Sequence, residues 1–182
     1  STLGVNMVWH EAFGQAYNPL TSEEEENIIS LKVNSQRMWQ HINPILSDIQ
    51  ALPECIETLT MTDDLQSGNH FMRTYKKADQ SEVMIDIAMG APSYFKFLKI
   101  PLQGKEVNGD AEGTVYVSEA FRQQLDKDNV QDRVEIEGQS YRIIGIFKEL
   151  YKETQGRATI GSVFFPSNHF RYFYVKLAPS TN

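Results

Sequence analysis

Apolar side chains recur along this chain with two periods, and the switches between them mark its elements. From Ser35 to Glu54, Met38, Ile42, Ile45, Ile49 and Leu52 fall three or four residues apart, one stripe of an amphipathic helix. Ser35 is placed to cap it and Pro53 to end it. Pro44 lies inside the pattern and lacks the N–H that an interior turn needs. Either the helix kinks there, or Asn43 caps a second segment with Pro44 at its first position. A shorter face, Ala120, Phe121 and Leu125, follows Ser118 as N-cap. The remaining apolar runs are short and rich in β-branched and aromatic residues, as strands are. They are "NIISLKVN", "CIETLTMTDD", "HFMRTYKK", "SEVMIDIAMG", "TVYVS", "SVFFPS" and "FRYFYVKLAP". "LQSGN" and "NGDAEG" read as loops, and "YKETQGRATIG" as a mobile one.

"VEIEGQSYRIIGIFKEL", residues 134–150, reads as a hairpin turning at Gly138. With Gly138-Gln139 as a type II′ loop, Ile136 faces Tyr141 and Val134 faces Ile143 on one side. Glu135 then faces Arg142 on the other. A one-residue slip would pair Glu135 with an apolar partner and turn the core face outward, so the register is expected to be well specified.

The ends of the chain read differently. Residues 1–26 are mixed and close in "SEEEE", a lead-in rather than core. Thr21-Ser22-Glu23-Glu24 fits a capping box, and the acidic run equally fits a solvated turn before a strand. "APSYFKFLKIPLQGKEV" packs aromatics and Leu between prolines and Gly104, a buried, turn-rich connection.

Composition narrows the classes. In 182 residues, 41% are hydrophobic and 23% charged, an ordinary globular balance. The net charge of −7 argues against nucleic-acid and anionic-membrane partners. No apolar run is long enough to cross a bilayer. The single cysteine, Cys55, permits no internal disulfide, and its surroundings suit a small buried thiol better than a nucleophile.

The search for chemistry returns little. His10, His41, His70 and His169 stand in four separate segments, without the spacing of a metal site. No P-loop, dinucleotide fingerprint or nucleophile elbow is present. Asp63 with Asp64, and Asp110 with Glu112, lack calcium-loop spacing and read as solvated turn residues. Glu135 and Glu137 read as exposed residues of a half-buried strand. Arg73, Lys76 and Lys77 are too few for a nucleic-acid footprint. No catalytic residue, metal or cofactor is expected. The aromatic series Phe164, Phe165, Phe170, Tyr172, Phe173 and Tyr174 has two readings. One is core packing on alternate faces. The other is an exposed contact surface, for which Phe170, Tyr172 and Tyr174 are the candidate partner-binding residues.

One long stretch resembles a known family. Tyr94, Phe95, Leu98, Ile100, Leu102, Gly104 and Lys105 fit its "Y-F-x-x-L-x-I-x-L-x-x-G-K/R" segment. Val115, Val117, Ser118 and Glu119 fit a strand followed by a capped helix. Ile136, Gly138, Tyr141, Ile143, Ile144, Gly145 and Ile146 fit its hairpin. Val163, Phe164, Pro166, Tyr172, Val175, Lys176 and Pro179 fit its closing strands, and "ILSDIQALPE" resembles its helix. Over roughly residues 27–179 the chain is similar to the periplasmic core domain of MacB-like ABC transporter permeases, relatives of the FtsX and lipoprotein-releasing permeases. It departs from them at "NVQDRV", where their common glycine is missing, so that turn must be built differently.

The resemblance implies an α+β fold in two lobes: a βαβ porter-like lobe, 27–91 plus 162–179, and an inserted β-rich lobe with one short helix, 92–161. Residues 1–26 would lead in from a membrane helix. Gly90, Pro92 and Gly161, at the crossings, are the candidate hinge. The implied role is mechanical and non-catalytic: a periplasmic domain of an inner-membrane protein that passes ATP-driven motion to a substrate or partner, in export or lipoprotein release. Its implied partners are the rest of the permease and its ATPase, a periplasmic adaptor or lipoprotein, and a second copy in a dimeric transporter. A free-standing periplasmic binding or adaptor module is the alternative, and a hydrolase with an unrecognised site a third class.

Overall fold

The computed structural model describes residues 19–65, 71–107, 111–149, 153–154 and 157–179. His10, His70, Asp110 and most of the 1–26 lead-in lie outside them. In chain order the elements are α1 (Ser22–Glu26), β1 (Ile28–Lys32), α2 (Gln36–Gln40), α3 (Ile42–Gln50), β2 (Cys55–Met61), β3 (Phe71–Lys76), β4 (Glu82–Gly90), α4 (Tyr94–Phe97), β5 (Leu102–Gly104), β6 (Thr114–Ser118), α5 (Glu119–Lys127), β7 (Arg133–Ile136), β8 (Gln139–Phe147), β9 (Glu153–Thr154), β10 (Arg157–Ala158), β11 (Ser162–Pro166) and β12 (Tyr172–Leu177). The fold is α+β. The stretch 151–161, expected as a loop, contains the short β9–β10 ladder.

Ten of these strands form one mixed sheet in the order β1-β12-β2-β4-β11-β6-β8-β5, with β3 beside β4 and β7 beside β8. β1 and β2 both run antiparallel to β12 and are therefore parallel to each other, with α2 and α3 as their crossover. β4 and β11 are adjacent and parallel, so residues 91–161 are the connection between two neighbouring strands. β11 also pairs with β6, which carries the sheet on through β8 to β5.

The core is divided by sheet face. One cluster joins Ile28, Leu59, Met61, Tyr94, Phe95, Phe97, Tyr116, Phe164 and Tyr174 beneath α4. The other joins Tyr75, Ile85, Val115, Val117, Phe121, Leu125, Val134, Ile136, Val163 and Phe165 beneath α5. Each therefore takes residues from both 27–91 and 92–161. β6 and β11 alternate between the clusters, which is why "TVYV" and "SVFFP" read as unbroken apolar runs: both faces are covered. Leu20, placed by sequence in the lead-in, is buried in the first cluster.

Local signals explain the element ends. Both halves of the capping box form at α1: Thr21 Oγ1 accepts from the Glu24 N–H, and the Glu24 carboxylate accepts from the Thr21 N–H, each at 3.1 Å. The run "SEEEE" is thus a capped helical turn that leads directly into a strand. Ser35 caps α2 as expected. The Pro44 alternatives resolve into two helices, but the break falls at His41 rather than Asn43. Pro44 then lies in the first turn of α3, where its missing N–H has no helical partner to lose.

The missing glycine after α5 is replaced by Asn129 in the left-handed region, φ +58°. Val130 N–H donates to the Leu125 carbonyl and Asn129 N–H to that of Asp126, the paired bonds of a Schellman ending.

The hairpin register differs from expectation by two residues. Val134 faces Tyr141, Glu135 faces Ser140 and Ile136 faces Gln139. The turn is Glu137-Gly138, with φ +48° and +83°, so both central residues are left-handed as in a type I′ turn rather than II′. The expected Glu135–Arg142 pair is absent, and Arg133 stands opposite Arg142. Because side chains alternate with period two, the shift leaves Val134 and Ile136 on the core face. The Glu137 carboxylate reaches beyond the hairpin, accepting from the Thr74 N–H of β3 at 3.1 Å.

Candidate functional site

The residues singled out by sequence are dispersed. Tyr174 is fully buried, its hydroxyl donating to Asp64 at 3.0 Å and accepting from the Leu65 N–H at 2.9 Å, so it belongs to the core and not to a partner surface. Burial beside Asp64 raises its phenol above the ordinary range. Tyr172, at the start of β12, is half-buried, with the Lys32 ammonium 5.9 Å from its ring centre. Phe170 is half-buried and tilted against Trp39, ring centres 5.1 Å apart.

The hinge candidates occupy close approaches. A Cβ on Gly90 would lie 2.4 Å from Met61 Sδ, and one on Gly161 2.6 Å from the Phe121 nitrogen. Gly90 pairs with Pro166 in the β4–β11 ladder, Pro92 is buried, and the Gly161 carbonyl accepts from the Asp86 N–H. Ser118 Oγ, beside Gly161, accepts from both Phe121 and Ser162 N–H groups and so ties α5 to the start of β11. Lys176, matched above to the closing motif, is buried. Its ammonium donates to the Phe97 carbonyl at 2.6 Å and lies 3.6 Å from Glu57, joining β12, α4 and β2.

The two acidic turn residues also have structural roles. Asp63 is half-buried, and its carboxylate accepts from the Met89 N–H at 2.8 Å. Burial pushes its pKa up to about 6, opposed by that hydrogen bond and by Arg73. Asp64 holds Tyr174. Neither is the solvated residue expected of a turn. Cys55 is half-buried, and burial raises its thiol pKa. His41 and His169 are exposed and far apart in sequence, and no cluster of three metal-ligating side chains occurs among the described residues.

One surface feature gathers several distinctive side chains. At the end of the sheet where β1 stops and β12 starts lies an open groove of about 630 Å³. Its floor is backbone held from both sides: Val33 N–H donates to the Arg171 carbonyl, and Arg171 N–H to that of Met61. Thr62 Oγ1 donates to the His169 carbonyl at 2.5 Å. The Ser35 cap starts α2 immediately after β1 and so brings Trp39, one turn later, over Phe170. Trp39 remains 41% exposed. Lys32 and Arg171 complete the groove. Sequence reasoning reached Phe170 and Tyr172 but missed Trp39, Lys32 and Arg171. Trp39 lies next to the stripe through Met38 rather than on it, and only the tertiary fold opposes α2 to the 169–171 segment.

The fold of this sheet is shared with solved extracytoplasmic regions of ABC-type transporters. The periplasmic region of MacB from Actinobacillus actinomycetemcomitans shares it at 12% identity, TM-score 0.53, covering 86% of this chain and 77% of that one. The extracellular domain of the noncanonic ABC-type transporter YknZ from Gram-positive bacteria shares it at 13% identity, TM-score 0.52, covering 83% of each chain. No match is found among curated proteins. The family model described as MacB-like periplasmic core domain matches residues 9–182, and the chain belongs to that family. It is therefore a periplasmic core domain of the MacB-like ABC transporter permeases.

Proposed function

We propose that the domain is a non-catalytic transmitter, which passes motion generated by ATP hydrolysis elsewhere in a permease to a periplasmic partner or substrate. The observation that carries this reading is the adjacency of the first and last strands. Ile28 stands opposite Lys176, and Leu177 N–H donates to the Asn27 carbonyl at 2.8 Å, so both ends of the described sheet emerge side by side. Chain segments entering and leaving there can be displaced together. A single sheet with a packed core on each face then moves as a stiff body, because close-packed interiors transmit displacement rather than absorb it. Residues 92–161 are an insertion in chain order, between neighbouring strands, and share both cores with the rest.

The test is made in the whole permease. With residues 19–179 replaced by a flexible Gly-Ser linker, ATP hydrolysis should continue while transport is lost. Undiminished transport would overturn the proposal. A free-standing adaptor, the rival reading, requires polar sequence on both sides of residues 1–182 in the gene, whereas a permease requires a run of about 20 apolar residues on each.

A further inference from the structure

We infer that the Trp39–Phe170 groove is a docking site for an acidic peptide segment that carries apolar or aromatic side chains, presented by a periplasmic partner. The inference rests on the reading above and adds to it the place and the chemistry of recognition.

Charge is the first argument. The chain has 24 acidic against 17 basic residues, yet the groove is lined by Lys32, Arg171 and His169 with no carboxylate among its described lining residues. Neither Lys32 nor Arg171 forms an ion pair among the described residues, and both are exposed. A second groove, of about 510 Å³, differs in its charge. It is lined by Lys76 and Lys77 together with Glu82, Glu135 and Glu137, carboxylates of a kind that the first groove lacks. A positive cleft on an otherwise acidic protein favours an acidic segment as its occupant.

Side-chain type is the second. An exposed Trp packed at a tilt on a half-buried Phe, with an Arg beside them, is the composition enriched at interface centres. The aromatic pair offers apolar area at low entropic cost, and the Arg fork can take a carboxylate through two bonds. The floor is fixed by backbone hydrogen bonds from β1 and β2, so little ordering is needed on binding. Position is the third. The groove lies at the end of β1 and β12 opposite to Ile28 and Leu177. In the transmitter reading that end points away from the membrane, toward soluble partners.

The test uses the isotopically labelled 182-residue chain, titrated by NMR with a short peptide alternating Glu and Phe. Resonance shifts should centre on the Trp39 indole, Phe170, Arg171 and Lys32. The double variant Lys32→Glu/Arg171→Glu, on exposed side chains, should bind roughly tenfold or more weakly. Lys96→Glu/Lys127→Glu makes the same change in net charge elsewhere and should leave binding within about twofold. Equal weakening by both double variants, equal binding of a Lys-Phe peptide, shifts centred elsewhere, or displacement of the peptide by phosphatidylglycerol vesicles would each overturn the inference. The last outcome would assign the groove to lipid. Failure here with transport still lost on linker replacement removes the docking site alone, whereas binding here with transport retained removes the transmitter reading alone.

Discussion

Phe164→Ala probes whether the domain is one cooperative unit. Phe164 is 0% exposed in the middle of β11. Its ring stacks on Tyr94 with centroids 4.6 Å apart and meets Phe95 at 5.1 Å and Tyr116 at 6.2 Å. Truncation of a buried Phe costs about 3–5 kcal/mol through lost transfer energy and the cavity left behind. Three aromatic neighbours, each worth roughly 0.5–1.5 kcal/mol beyond area, place this site near the top of that range. Against a total of about 5–15 kcal/mol the loss is severe without being fatal. With a urea slope of about 2 kcal/mol/M, the midpoint should fall by about 2 M. Far-UV and near-UV circular dichroism should follow one coincident transition, since β11 touches both cores and both cores cross the 91–92 boundary. Two separated transitions, or a loss below about 1 kcal/mol, would refute the reasoning.

Three further substitutions test particular positions. Gly161→Val places a Cβ 2.6 Å from the Phe121 nitrogen and 2.7 Å from Ser118 Oγ, and should cost about 2–3 kcal/mol in thermal melts. Gly138→Ala, where an added Cβ meets nothing within 4 Å, should cost only the left-handed penalty of about 1 kcal/mol. Asp63→Asn tests the buried carboxyl. Its folded pKa of about 6 exceeds the ordinary 3.8, so the folded state holds the proton more tightly than the unfolded one. The group's stabilising contribution is therefore full below 3.8 and is lost as pH rises through 6. Asn keeps an acceptor for the Met89 N–H, so the variant should gain stability at neutral pH and show a flatter melting profile across that window. A profile parallel to that of the unsubstituted protein would sink the assignment.

Much of this was legible because the signals are local. The Ser35 and Ser118 caps, the capping box at Thr21 and the face assignment of Val134 and Ile136 depend on residues within one or two turns of each other. The hairpin register was not, because Glu137 had to adopt φ > 0, and no pattern of apolar residues distinguishes a shift of two. Tyr174 was misplaced because aromatics on a strand look alike whether their outer face meets solvent or, as here, Asp64 and the first core cluster. Asp63 and Asp64 looked solvated for a similar reason. Their partners, Met89 and Tyr174, are distant in sequence.

The sequence by itself determined most of the longer strands, the helical stretches after Ser35 and Ser118 with their caps, which faces are apolar, and, through ordered motif residues from Tyr94 to Lys176, the family resemblance. Each follows from short-range sterics, capping and periodicity, which act between near neighbours. Only the tertiary structure decided that β1 and β12 lie side by side, that both cores pass through 91 and 161, and that Trp39, Phe170, Lys32 and Arg171 share one groove. Those juxtapositions come from strand pairing across more than a hundred residues, where the energy lies in burial and hydrogen bonding that no local stretch of chain encodes.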